Sequence, residues 1–114
     1  MSVPLKGTEQ ILDVGCGDGK ITAEIAAQVL QGSVLGVDLS RNMIDFASKN
    51  FTQPNLRFEV GDVCELPYRE EFDLVVSFFT RYEHRKGRYG QFVKLSMKTV
   101  KRGFILSVTD HGRV

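Results

Sequence analysis

The stretch Asp13-Val14-Gly15-Cys16-Gly17-Asp18-Gly19 packs three glycines, two carboxylates and a thiol into a few residues directly after a short apolar run. Its chemistry is that of holding a ligand rather than attacking one. Gly15 permits a tight turn, and Gly17 has no Cβ to keep a ligand away from the backbone. A helix opening behind the turn offers unpaired N–H groups. Two spacings narrow the ligand. A dinucleotide fingerprint, G-x-G-x-x-G, would place its third glycine at position 20, where Lys20 stands, with Gly19 one residue early. Asp18 would also set a carboxylate beside a pyrophosphate, which is repulsive. A ligand without phosphate fits better, and a nicotinamide-dependent oxidoreductase is the disfavoured alternative. Asp38 closes the next apolar run, 21 residues beyond Gly17, and a carboxylate there can accept from both hydroxyls of a ribose. Asp62, in Val60-Gly61-Asp62-Val63, closes a third run, where it could accept from an adenine amino group or be an ordinary turn aspartate.

Groups able to move protons are fewer. His84 is the candidate base, with Tyr82 and His111 behind it. All three lie in polar surroundings, and Arg81-Tyr82-Glu83-His84-Arg85-Lys86 reads as a solvated segment. No cluster of His, Cys, Asp and Glu has ligand spacing, so no metal is expected. Cys16 is either a small filler of the turn or a thiol with a lowered pKa near a helix N-terminus.

The elements that must position these residues alternate. Ile11-Leu12-Asp13-Val14 reads as a buried strand, and Ile21, Ile25 and Val29 recur on one helical face that ends at Gly32. Val34-Leu35-Gly36-Val37 is a second strand. Ser40 is the expected N-cap of a helix carrying Met43, Ile44, Ala47 and Phe51 on one face. Leu56 to Val60 alternates with period two, as a strand near a sheet edge does. Phe72 to Phe79 is a fourth strand, Tyr89, Phe92, Val93, Met97 and Val100 mark a helix, and Phe104 to Val108 is a fifth strand. The order β-α-β-α-β-β-α-β predicts an α/β fold: a three-layer, Rossmann-like, open and mostly parallel sheet of about five strands with helices on both faces.

With 114 residues, 42% hydrophobic and 25% charged, the chain has the composition of one globular domain spanning residues 1–114. It shows neither a signal peptide nor an apolar run long enough for a membrane, and two cysteines make no disulfide framework. A reduced, cytoplasmic setting without membrane partners is expected. The net charge of +1 conceals a split. Residues 1–80 carry six basic and twelve acidic side chains, whereas residues 81–114 carry nine basic and two acidic. The basic segment reads as a solvated face; an RNA surface through Tyr82, Tyr89 and Phe92 is the disfavoured alternative.

Taken in order, Asp13-x-Gly15-x-Gly17-x-Gly19, Asp38, Gly61-Asp62-Val63 and Phe72-Asp73-Leu74-Val75-Val76-Ser77 resemble the motifs of class I S-adenosylmethionine-dependent methyltransferases. The resemblance covers residues 8–80 and continues more loosely through Arg102 to Ser107. It implies that the Gly15–Gly17 loop, with Cys16 in it, approaches the methionine part of the cofactor, and that Asp13 orients that loop. Asp38 would hold the ribose, Leu39 and Met43 would pack along the adenine, and Asp62 and the Val63 N–H would meet its edge. Ser77 and Phe78 would face the methionine end and the methyl acceptor. Members that methylate nucleobase amines carry Asn/Asp-Pro-Pro-aromatic where this chain has Ser77-Phe78-Phe79-Thr80, so a small-molecule acceptor is favoured over nucleic acid. Members also add a sixth and an antiparallel seventh strand. Here about six residues follow Val108. The expected object is therefore a methyltransferase, or its cofactor-binding core, transferring a methyl group by in-line displacement, with an edge beside strand five open to a homo-oligomer. A non-catalytic cofactor-binding module that needs a partner subunit is the alternative.

Overall fold

The structure is a computed structural model that describes residues 5–62, 65, 71–80 and 100–110, the last segment and residues 78–80 as backbone. The central strand β1, Gln10–Val14, leads through the glycine-rich turn into helix α1, Lys20–Ala26. Strand β2, Ser33–Asp38, is followed by α2, Arg41–Asn50, and then by β3, Leu56–Val60. Strands β4, Phe72–Thr80, and β5, Val100–Asp110, complete a sheet of order β3-β2-β1-β4-β5 in which every pairing is parallel. The expected α/β sheet is present.

A parallel sheet is stable only with both faces covered, and side-chain alternation shows both are. On one face Ile11, Val34, Leu56, Leu74 and Val76 pack with Ala23, Ile25, Ala26 and Val29. On the other, Leu12, Leu35, Val37 and Val75 are equally buried. Steps from β1 to β2 and from β2 to β3 run in one direction. Right-handed crossovers therefore put α1 and α2 on the same face. The helix expected around Phe92 lies outside the described residues.

Three details differ from the sequence expectation. Helix α1 ends at Ala26 rather than near Gly32, because the carboxamide of Asn55 reaches in from the loop after α2 and donates to the carbonyls of Ala26 and Val29 at 3.0 and 2.9 Å. Each of those carbonyls also accepts a backbone amide, Val29 N–H on Ala26 at 3.2 Å and Gly32 N–H on Val29 at 2.9 Å, so the chain leaves the helix in tight turns that Asn55 braces. The buried face of this short helix is Thr22, Ala23, Ile25 and Ala26, which leaves Ile21 half exposed. Finally, β5 begins at Val100, a residue expected on a helix, and its register against β4 shifts between Phe72 and Leu74. Among the described strands, β3 is the edge that its alternation predicted and β5 is the opposite edge.

Gly19 locks these layers together. It is the N-cap of α1 with φ +86°, and a Cβ there would lie 2.7 Å from the Cβ of Ala47 and 2.9 Å from the ring of Phe58. Gly19→Ala should therefore destabilise the fold by about 2–4 kcal/mol, combining overpacking with a left-handed backbone. A lowered midpoint at unchanged slope in urea unfolding checks this.

Candidate functional site

In a parallel sheet the crevice opens at the carboxyl ends of the strands where their order reverses. That point lies between β1 and β4, whose residues Val14 and Ser77 are register partners. The glycine-rich loop stands there, and it is hung from the end of β2. The amides of Gly15 and Cys16 both donate to the Val37 carbonyl, at 2.7 and 3.0 Å, and the Gly17 amide donates to Asp38 Oδ2 at 2.8 Å. The other carboxylate oxygen, Oδ1, accepts from the Ser40 amide at 3.0 Å, and the Asp38 carbonyl accepts from Gly61 N–H at 3.0 Å. Asp38 thus gathers the loop, the start of α2 and the end of β3. Ser40 caps α2 as expected, accepting from Met43 N–H.

Suspended in this way, the loop shows an open backbone face. Gly15 and Gly17 have φ of +78° and +58°, and a Cβ at either would meet nothing within 4 Å. At the start of α1 the place of an anion is taken, since Asp18 Oδ1 accepts from Lys20 N–H at 3.0 Å. This agrees with a ligand that lacks phosphate.

The loop is also anchored from beneath. Asp13 is fully buried, and its Oδ2 accepts from the hydroxyl of Thr22 on α1 at 2.7 Å. Its Oδ1 has no hydrogen-bond partner among the described residues. Burial is the main cause that raises its pKa from 3.8 to about 7; the Thr22 hydroxyl opposes the rise and the charge of Asp38 adds to it. Burial also pushes the Cys16 thiol up, with the charges of Asp13 and Asp38 acting the same way. Cys16 is therefore no activated nucleophile. Its sulfur would lie 3.0 Å from a Cβ on Gly36, and it fills the gap beneath the loop.

Of the other residues singled out in the sequence, Leu39, between β2 and α2, and Met43, in the first turn of α2, are 53% and 45% exposed and available to a flat apolar ligand. Asp62 follows Gly61 at the end of β3, tied to Asp38 through that residue. Ser77 is buried at the crevice side of β4, and its hydroxyl has no partner among the described residues. Phe78 continues β4 as backbone, while Val63 and His84 lie outside the described residues. Thr22 was missed because a threonine on a helix carries no spacing signal. Its pairing with Asp13, nine residues earlier, appears only once α1 folds back on β1.

Known proteins resemble this chain in sequence and in fold. The sequence profile of the family described as "Methyltransferase domain" matches residues 11–103. The trans-aconitate 2-methyltransferase of Deinococcus radiodurans is 43% identical over 75 residues, covering 66% of this chain and 28% of that protein. The juvenile hormone acid O-methyltransferase of Drosophila melanogaster is 33% identical over 98 residues, covering 78% and 33%. The crystal structure of a TehB-like SAM-dependent methyltransferase from Corynebacterium glutamicum superposes with a TM-score of 0.72 at 30% identity, covering 90% of this chain and 55% of that one. The chain thus spans about a third or less of these curated relatives and about half of the solved structure.

The buried carboxyl makes a pH-dependent contribution to folding. With a folded pKa of about 7 against an ordinary 3.8, the folded state keeps a proton that the unfolded chain releases. Asp13 therefore contributes fully below about pH 4, less as pH rises to about 7, and no further change above that. Asp13→Asn should flatten this decline, measured as urea midpoints across that range.

Proposed function

The chain belongs to the methyltransferase domain family, and on that premise we propose that it binds S-adenosylmethionine in the crevice between β1 and β4 and takes part in methyl transfer to a small-molecule acceptor. The observation that carries the reading is the suspended loop, whose open glycine face stands beside Asp38 at the sheet's reversal point. The cofactor supplies the electrophilic methyl group on its sulfonium.

The protein's part is to bind and orient. A carboxylate offers about four lone-pair sites, and the amides of Gly17 and Ser40 occupy two on Asp38. The remaining two suit a pair of ribose hydroxyls. Leu39 and Met43 offer apolar surface for the adenine, and Asp62 with the Val63 N–H its polar edge. The backbone of Gly15 to Gly17 takes the methionine part, with Asp13 and Cys16 setting the loop from below. Ser77, buried and unpartnered among the described residues, would meet the reacting end, a part that the motif resemblance also gives to Phe78. Both curated relatives described above are named for acids, which supports a carboxylate oxygen as acceptor. Such a nucleophile has no proton to lose, so orientation suffices, and it alone can supply ~7–11 kcal/mol. His84 is needed as base only for a protonated acceptor. No helix among the described residues is long and apolar enough to cross a membrane, and a reducing cytoplasmic location suits the free, half-buried Cys16 thiol.

Calorimetry with S-adenosylhomocysteine tests the reading. Saturable binding is expected, with no thermal stabilisation by NAD; absence of heat from demonstrably folded protein would overturn it. Asp38→Ala should weaken binding by about 10- to 100-fold, since hydrogen bonds to a charged group contribute about 1.5–3 kcal/mol.

A further inference from the structure

We propose that Thr22 and Asp13 act together as positioning residues, a buried clamp behind the glycine loop that holds a proton in the free protein and releases it when a positively charged sulfonium ligand docks. The proposal rests on the binding reading given above and extends it to how the site distinguishes ligand charge.

Three features of the geometry carry it. Asp13 is almost wholly excluded from solvent, and the polar contact to its carboxyl group is a hydroxyl from α1 at 2.7 Å. Its second oxygen has no partner among the described residues, so a proton there costs no hydrogen bond, whereas a charge there is uncompensated. Asp13 also lies two residues before Gly15, at the base of the loop that presents the open face. Among the described residues, the groups around it add no cation. Asp38 at the end of β2 repels a second negative charge, the Cys16 thiol stays protonated, and α1 contributes the Thr22 hydroxyl. The neighbouring strand positions, Gly36 on β2 and Val76 on β4, are uncharged. A pKa near 7 follows from the same surroundings.

A ligand bringing positive charge to this loop changes that balance. It favours the ionised carboxylate, and the proton leaves Asp13 for solvent: COOH becomes COO⁻ with one proton released and no other bond altered. The Thr22 hydroxyl, already donating, holds the carboxylate in place once it is charged. S-Adenosylhomocysteine, a neutral thioether at sulfur, draws out less of this proton. The clamp therefore favours the charged cofactor over the spent one, and more strongly as pH rises.

The test is calorimetry of the full chain with S-adenosylmethionine and with S-adenosylhomocysteine from about pH 5.5 to 8.5, in buffers of differing ionisation enthalpy, which count the protons released. The sulfonium ligand is expected to gain affinity up to about tenfold per pH unit below neutrality and to level off above it. Asp13→Asn, its folding checked by urea midpoint, should retain only the ligand's own titration and lose the preference for the charged form. Thr22→Val should move the midpoint of the affinity curve up by about one to two pH units, the value of a lost charge-assisted hydrogen bond, and Thr22→Ser should restore it. Binding that is equally tight at every pH, or a profile unchanged in Asp13→Asn, overturns the clamp and leaves the cofactor reading intact. Failure to bind either ligand at any pH overturns both.

Discussion

The site depends on one constraint: the loop after β1 has no regular structure of its own and must be held by the end of β2. Two amides share the Val37 carbonyl and a third reaches the Asp38 carboxylate. Backbone polar groups at such a turn need partners, and here a neighbouring strand supplies them. Because these bonds occupy the side of the loop that faces the sheet, the glycine Cα atoms are left towards open space. The same carboxylate and its own carbonyl tie in α2 and β3. Displacement of β2 by a single residue would therefore disturb every part of the crevice rim at once.

Electrostatics follow from that arrangement. Asp13, Asp18 and Asp38 surround the loop, where their carboxyl oxygens accept from the amides of Gly17, Lys20 and Ser40 and the hydroxyl of Thr22. A phosphate would meet the Asp18 and Asp38 carboxylates at the rim, whereas a ligand with hydroxyls and positive charge meets acceptors. Burial makes Asp13 the group most sensitive to that charge, because it is farthest from the screening of water. Cys16 shows the converse. Of the two roles open to it in the sequence, a filler of the turn or an activated thiol, burial among carboxylates selects packing beneath Gly36.

Much of the fold was legible because its signals are local. Apolar runs ending in Gly15 and Asp38, the Ser40 cap and the period-two alternation of Leu56 to Val60 each report on a few consecutive residues. The failures are non-local. Helix α1 stops where Asn55, from a loop 29 residues away, captures its last carbonyls, and Ile21 is exposed although its spacing to Ile25 is helical. Val100 has the same spacing to Met97 that helices use, yet it pairs in register with Phe72. Partners remote in sequence decide such cases, and periodicity carries no record of them.

The sequence by itself determined the order of elements, the glycine turn at the end of β1 and the carboxylate at the end of β2, because sterics and amphipathic spacing act within short windows. It also carried enough ordered motifs to indicate the family. Only the tertiary structure decided that Asp38 gathers three segments, that Thr22 buttresses Asp13, and that the Cys16 thiol is held protonated. Those outcomes depend on burial and on distances between residues up to 23 positions apart, such as Asp38 and Gly61. Such distances exist only after the sheet has brought its strand ends together.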